Sequence, residues 1–373
     1  MRSKRTTAVA LGATAVTVAL GAGVLVAAEA QSSGDVGESI DEFFAESLPE
    51  DASLSVVAGH AGDQVYCEGF GQSDRENGVA ADCDTVYDIG SVTKQFTGAA
   101  VLKLEMDGEL SVDDPVSKFF DSVPDDKRDI TVHQLLTHTS GLVDQLGDDY
   151  DPIGRDELLE AAAESKLLWP PGTAHSYSNL GYSVLAAIVE EVSGLSYDEY
   201  LNEKLFAPAG MTQTGYTVPE FDQNKVAQQY DANDEPQGKP NELPWAEDGP
   251  YWNLRGNGGI LSTAADMFAW QQALAGEDVL SAEAKEKLFE AHVPEEDDGD
   301  TYYGYGWVIF DAEGNKVAWH NGGNGFSFAD ALIDLDEGHF VFWNTNQVEK
   351  KGQWNLEELD VVSEVYRILR EAG

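Results

Sequence analysis

Tyr87-Asp88-Ile89-Gly90-Ser91-Val92-Thr93-Lys94, residues 87–94, is the stretch that decides the fold and the chemistry of this chain. A short apolar run ends at a glycine turn, and a helical pattern follows. A helix that starts at Ser91 carries Lys94 one turn further along on the same face. The hydroxyl and the amine then make a candidate nucleophile and base, and the free N–H groups of the helix N-terminus stabilise developing negative charge.

The S-x-x-K pattern alone is weak, because a capping serine followed by a solvated helical lysine has the same spacing. Two further elements give it context. Tyr177-Ser178-Asn179 follows the turn Trp169-Pro170-Pro171-Gly172 and opens another helical pattern. His320-Asn321-Gly322-Gly323 ends a strand-like run, 316–319.

Competing copies of these short patterns exist. Tyr200 and Tyr251 also begin Y-x-N, and His60 begins H-x-G. Tyr200 falls in the middle of a helical pattern, and His60 precedes the serine. Tyr251 lies in a loop and is the serious competitor. We prefer Tyr177 because a Pro-Gly turn followed by a helix start holds a side chain at the end of an element.

These elements resemble the serine β-lactamase and penicillin-binding-protein superfamily, together with Leu135-Leu136-Thr137-His138-Thr139-Ser140-Gly141-Leu142 and Gly258-Gly259-Ile260-Leu261-Ser262-Thr263. The likeness is greatest to the branch of class C β-lactamases, D-aminopeptidases and esterases, and it runs from about Ile40 to the C-terminus. It implies a serine hydrolase that acts through an acyl-enzyme.

Hydrophobic periodicity predicts strands near both chain ends and helices between them. The late strands include 303–311, 316–320 and 340–344, and a helix at 355–370 closes the chain. We therefore expect an α/β (α+β) fold, in which an antiparallel sheet built from both chain ends is flanked by terminal helices and carries an inserted, mostly helical domain. The expected division is an α/β part at about 38–90 plus 301–373 and a helical insert at about 91–300. The acidic stretches 231–250 and 294–300 are expected to be exposed loops, and the first is a candidate rim of a pocket at the seam.

The resemblance assigns a role to each site residue. The catalytic residues are Ser91, Lys94 and Tyr177, and the substrate-binding or oxyanion residues are Asn179, His320, Gly322 and Gly323. The branch gives the base role to the tyrosine, but amine and phenol titrate as a coupled unit whose proton the sequence does not place. The oxyanion donors are the backbone N–H groups of Ser91 and Gly323.

His320 stands where many members of the family have lysine, which favours neutral esters or amides over anionic substrates. The expected function is ester or amide hydrolysis, of the esterase or D-residue peptidase type. A β-lactamase or D,D-carboxypeptidase is the alternative, and a non-catalytic binding or sensor domain is the second. We expect a small-molecule substrate and no cofactor, and the oligomeric state is open.

The 22 basic and 68 acidic residues give a net charge of −46. Such a charge excludes duplex nucleic acid as a partner and predicts a halophilic protein, since its self-repulsion destabilises the fold in dilute buffer; an ordinary acidic secreted protein is the alternative. Residues 1–30 have the pattern of a signal peptide, with an uncleaved membrane anchor as the alternative. Residues 31–37 are expected to form a linker. Both alternatives place the enzyme outside the cytoplasm: extracellular, periplasmic or anchored facing outward.

Cys67 and Cys83 are the only cysteines and are expected to pair outside the cell, the alternative being two reduced thiols. No C-x-x-C or Cys/His cluster appears, so no metal site is expected. His133 and His138 flank one helical segment without a third ligand at metal-binding spacing, and structural roles are expected for both.

Overall fold

The antiparallel sheet takes its strands from two distant parts of the chain. A computed structural model describes residues 36–242 and 244–372. Within them the strands of this sheet are β1 Leu54–His60, β2 Asp63–Phe70, β3 Val293–Pro294, β4 Tyr302–Tyr303, β5 Val308–Ala312, β6 Asn315–Gly323, β7 Phe328–Asp334 and β8 His339–Thr345. The order across the sheet is β2-β1-β8-β7-β6-β5-β4-β3. Because β1 pairs with β8, the sheet joins both chain ends, and the predicted fold class is confirmed.

Helices cover both faces of the sheet. The helices of the described residues are α1 Val36–Ser47, α2 Lys94–Met106, α3 Val132–Leu136, α4 Arg155–Glu164, α5 Asn179–Ser193, α6 Tyr197–Leu201, α7 Ala207–Ala209, α8 Ala264–Ala275, α9 Ala282–Leu288 and α10 Val361–Ala372. Residues alternate between faces along each strand. Val56 and Trp343 therefore join the core under α1 and α10, whereas Val57 and Phe342 join the larger core on the side of α2 and α8.

The predicted elements differ from the structure mainly at turns. The expected strand 303–311 is two strands, because the chain turns at residues 304–307, where the Gly304 N–H donates to the Trp307 carbonyl at 2.7 Å. The closing helix begins as a 3₁₀ turn, Leu356–Leu359, before Asp360 breaks it with a φ of 48°. Strand β3 joins the sheet from within the segment expected to be the helical insert.

The N-terminal predictions are covered only in part. The expected signal peptide or anchor lies outside the described residues, as does most of the linker. Helix α1 begins at Val36, so the last two residues assigned to that linker, Val36 and Gly37, are helical. No helix in the described part of the chain has the length and apolar character needed to cross a membrane.

Cys67 and Cys83 form a disulfide, with Cα atoms 6.0 Å apart. It ties β2 to the segment that leads into the Ser91 turn. In the chain-entropy model, closing a loop of this length stabilises the fold by about 3 kcal/mol.

Candidate active site

Ser91 lies in a 3₁₀ turn, Gly90–Thr93, that runs directly into α2 at Lys94. The sequence predicted an α-helix from Ser91. In a 3₁₀ turn, residues three apart are eclipsed, so the lysine side chain is stacked over the serine. Gly90 allows the sharp entry, because its φ of +52° is unfavourable for any residue with a Cβ. Lys94 Nζ is 3.1 Å from Ser91 Oγ.

The Lys94 amine is completely buried and has three oxygen partners. Besides Ser91 Oγ, these are Asn179 Oδ1 and the Asn257 carbonyl oxygen, each at 2.7 Å. Burial lowers the pKa of Lys94 to about 7, although the carboxylates of Asp144 and Asp149 act in the opposite direction. The two amide oxygens can only accept, so they take both N–H bonds of a neutral amine. Its lone pair then faces the Ser91 hydroxyl.

Asn179 is oriented by Asp144. The Asn179 backbone N–H and Nδ2 both donate to Asp144 Oδ1, each at 3.1 Å. Because Nδ2 is committed to the carboxylate, the amide oxygen faces Lys94. Asn179 is also the first residue of α5, so the start of this helix positions the amide.

Tyr177 reaches the nucleophile from the segment before α5. Its hydroxyl is near Ser91, and its ring centroid is 4.7 Å from Lys94 Nζ. The segment is held by His138 Nδ1, which accepts the Ser178 N–H at 3.1 Å, while the His138 ring packs 4.3 Å from the Tyr177 ring. Burial raises the pKa of Tyr177 well above its ordinary value, and the nearby Ser91 hydroxyl only partly offsets this.

Strand β6 lies against the nucleophile turn, backbone to backbone. A Cβ added at Gly322 would overlap the Ser91 nitrogen, and one added at Gly90 would overlap the Gly323 nitrogen. This approach brings the backbone nitrogens of Ser91 and Gly323 into the same seam between the turn and β6. Two backbone donors near a nucleophile are the arrangement that stabilises a tetrahedral oxyanion.

His320 is buried at the same end of β6, and both of its ring nitrogens are hydrogen-bonded. Nδ1 is 2.6 Å from the Asn321 carbonyl, which can only accept, so this nitrogen carries the proton. Nε2 then accepts from the Tyr303 hydroxyl at 3.1 Å. Burial, helped by the Lys94 charge, lowers the pKa of His320 to about 3, so the ring is neutral. Neither a charge nor a free donor is left here for a substrate carboxylate.

The competing motif copies lie elsewhere. Tyr251 borders a surface depression of about 500 Å³ that is also lined by Arg155 and Glu190 and does not include Ser91. Tyr200 is buried in α6. His60, at the end of β1, stacks on His339.

Several groups that hold the site together had no motif in the sequence. Asp88 Oδ1 accepts the Gly90 N–H, and its Oδ2 accepts Asn324 Nδ2, each at 2.8 Å, so it ties the nucleophile turn to the loop after β6. Glu295, in a stretch expected to be an exposed loop, is half-buried, and its charge acts on Tyr177. Asn257 contributes its backbone carbonyl to the site. Every residue has this group, so the residue type gives no signal, and the contribution depends on the fold of the loop.

Comparisons with known proteins agree on the family. A family model described as Beta-lactamase matches residues 45–360. Penicillin-binding protein 4* of Bacillus subtilis (strain 168) is 30% identical over 285 residues, 72% of this chain and 62% of that protein. Esterase EstB of Burkholderia gladioli is 32% identical over 204 residues, 48% of this chain and 52% of the esterase. The octameric penicillin-binding protein homologue from Pyrococcus abyssi superposes with a TM-score of 0.75 at 28% identity, covering 91% of this chain and 78% of that one.

The chain belongs to the Beta-lactamase family. Family and fold together place it in the serine β-lactamase and penicillin-binding-protein superfamily, as the resemblance predicted. The chain spans about three fifths of the length of the Bacillus relative.

Proposed function

We propose that this chain is a serine hydrolase that cleaves an ester or amide through an acyl-enzyme on Ser91. The observation that carries the proposal is the buried Lys94 amine. Two of its partners can only accept hydrogen bonds, and the third is the Ser91 hydroxyl. A neutral amine held in this way is a general base aimed at a nucleophile.

In the first step Ser91 Oγ bonds to the acyl carbon and its proton passes to Lys94 Nζ. The N–H groups of Ser91 and Gly323 stabilise the oxyanion. Tyr177 has a raised pKa and keeps its proton in the free enzyme, so it is the donor to the leaving alcohol or amine. Water then attacks the acyl carbon and gives a proton to the Tyr177 phenolate. As the bond to Ser91 Oγ breaks, Oγ takes back the proton held by Lys94, so the acid is released and both groups return to their starting states. This gives the base role to Lys94 rather than to Tyr177, to which the resemblance assigned it.

The charges around the site favour a neutral or cationic substrate. The charged side chains that act on Lys94 and Tyr177 are the carboxylates of Asp144, Asp149 and Glu295. His320 is neutral and has both nitrogens bonded. A substrate carboxylate would therefore meet like charge without a partner.

A β-lactamase or D,D-carboxypeptidase is the second candidate, and similarity to penicillin-binding proteins favours it. Both of those reactions act on substrates that carry a carboxylate, and among the described residues assigned to this site Lys94, the proposed base, is the one cationic side chain. A domain that binds without turnover is the third candidate, and the assembled Ser91, Lys94 and Tyr177 weigh against it.

One set of assays separates the three candidates. The wild type and Ser91→Ala are compared in molar salt on a neutral p-nitrophenyl ester, on the same ester with a carboxylate on its acyl chain, and on nitrocefin. We expect the wild type to prefer the neutral ester and Ser91→Ala to be inactive. Turnover of nitrocefin at equal efficiency would instead identify a β-lactamase. A chain inert to all three, and unlabelled by a fluorophosphonate probe, is not a hydrolase.

The pH dependence tests which residue accepts the proton. Because Lys94 is a base only when neutral, kcat/KM on the neutral ester is expected to rise with pH through about 7 and then to level off. A profile without an ionisation near that pH would remove Lys94 from the base role while leaving Ser91 as the nucleophile.

A further inference from the structure

A second cluster of chemically active side chains lies at the opposite end of the sheet from Ser91. Asp334 ends β7, His339 begins β8, and Glu337 lies in the turn between them. Asp334 lies six positions further along β7 than Phe328, the partner of Gly323, which places the cluster about 20 Å from the nucleophile turn. The proposed hydrolysis does not use these residues.

Among the described residues, neither ring nitrogen of His339 has a partner at normal hydrogen-bond geometry, although only 3% of the residue is exposed. Buried imidazole nitrogens normally have partners, because a bare one loses its hydration without compensation. One face of the ring stacks on His60, with centroids 4.3 Å apart. The ring edge faces two carboxylates, since Nδ1 is 3.5 Å from Asp334 Oδ2 and 3.7 Å from Glu337 Oε2.

We propose that Asp334, Glu337 and His339 bind a divalent transition-metal ion of the Zn²⁺ class. The three candidate ligand atoms all lie within 4.8 Å of one another. At Zn–N and Zn–O bonds of about 2.0–2.2 Å, tetrahedral ligands lie roughly 3.3–3.6 Å apart. The two distances from Nδ1 are close to this range. One imidazole nitrogen with two carboxylate oxygens suits zinc, cobalt or nickel better than calcium or magnesium.

The surroundings hold one ligand rigidly and leave another adjustable. Asp334 Oδ2 accepts Asn315 Nδ2 and the Tyr366 hydroxyl, each at 2.7 Å, which fixes the carboxylate in the manner of an outer shell. Glu337 is half exposed and lies 3.8 Å from Arg370 Nε. Arg370 also pairs with Glu313 at 2.9 Å, so it keeps a partner when Glu337 turns to the metal. Water completes the coordination on the exposed side.

The sequence predicted no metal site because its cysteines and histidines show no ligand spacing. This cluster depends on a hairpin that brings residues 334, 337 and 339 to one corner, with His339 turned inward against β1. The net charge of −46 also raises the local concentration of cations around the chain. The test must therefore distinguish a specific metal site from diffuse attraction of cations to surface carboxylates.

The test measures zinc binding to the full chain, stripped with a chelator, by equilibrium dialysis and by melting temperature in molar KCl. We expect one tightly bound Zn²⁺ per chain, a higher melting temperature with zinc, and visible absorption bands when Co²⁺ replaces it. Glu337→Gln, which changes a half-exposed side chain, is expected to weaken binding by about tenfold or more, the scale seen for loss of an outer-shell partner. Glu313→Gln removes an acid that also touches Arg370, and it is expected to bind zinc like the wild type.

His339→Gln is expected to abolish the cobalt bands. Since this residue is buried, its melting temperature without metal and its ester turnover must first match the wild type. If His339→Gln does not fold, the zinc affinity of Glu337→Gln alone decides the test. The proposal is overturned if Glu337→Gln and Glu313→Gln bind zinc equally, or if the wild type binds no stoichiometric ion. Ester hydrolysis does not depend on the cluster, so either result leaves the proposed function untouched.

Discussion

Replacing Lys94 by methionine isolates the free energy of burying this amine from the contributions of all other titrating groups to the pH dependence of stability. Lys94 holds its proton up to about pH 10.5 in the unfolded chain but only up to about pH 7 in the fold. Between these values the unfolded state binds one more proton, so this group makes stability rise with pH. Since 10.5 − 7 is 3.5, burial of Lys94 costs about 4 kcal/mol at pH 7 and almost nothing at pH 10.5.

Methionine removes that pH-dependent cost. It also leaves Asn179 Oδ1 and the Asn257 carbonyl without a donor, at about 1–3 kcal/mol each whatever the pH. We therefore expect the stability of Lys94→Met relative to the wild type to fall by about 3–4 kcal/mol between pH 7 and pH 10. Whether Lys94→Met is more or less stable than the wild type at a given pH depends on both contributions. The change of this stability difference with pH depends only on the Lys94 proton.

The assay is urea unfolding followed by tryptophan fluorescence in molar KCl at several pH values from 7 to 10. Lys103→Met, on the same helix, controls for the loss of one positive charge. Groups that titrate in both proteins cancel in the difference. If the stability difference between Lys94→Met and the wild type does not change with pH, the amine keeps an ordinary pKa in the fold, and a neutral Lys94 base has no support.

Three other expectations follow from the same structure. Tyr177→Phe should lower kcat/KM on the neutral ester by about 100-fold or more, whereas Tyr251→Phe should change it little; equal losses would show that the wrong tyrosine was chosen. Gly322→Ala places a methyl group on the Ser91 nitrogen and should abolish turnover in an assay where Gly154→Ala, whose added Cβ meets only the end of a glutamate side chain, stays active. The melting temperature should climb steeply from dilute to molar KCl, and a flat response would refute the halophilic interpretation of the charge.

The late strands were predictable because helices cover both faces of the sheet. A strand such as β8, in which all seven residues are buried, is therefore a short, mostly apolar run bounded by turn residues. The predicted strands 316–320 and 340–344 agree with β6 and β8 to within a few residues. The pairing of β8 with β1 follows only from a layout that needs both chain ends in one sheet. The break between β4 and β5 was missed, because Gly304 and Gly306 lie inside an otherwise continuous aromatic and apolar run.

The site was predictable only where a side chain carries its own chemistry. Ser91, Lys94 and Tyr177 are visible as a hydroxyl, an amine and a phenol at the ends of elements, and the structure brings all three together. Asp88 lies in the short run before the Gly90 turn, and nothing in the sequence links it to Asn324, 236 residues away. Contacts of this kind depend on the path of the chain, so no local pattern encodes them.

The placement of the Lys94 proton shows where sequence reasoning must stop. An S-x-x-K pattern supplies the amine, and Y-x-N supplies one amide oxygen, but these two leave the amine with a spare N–H bond that could equally point at Ser91. The Asn257 carbonyl takes that bond, while the Asn257 side chain is engaged by Ser183 and by the Asn253 carbonyl. A backbone oxygen from a loop without a motif therefore turns the lone pair toward the serine. The base role proposed for Lys94 depends on that oxygen as much as on the lysine itself.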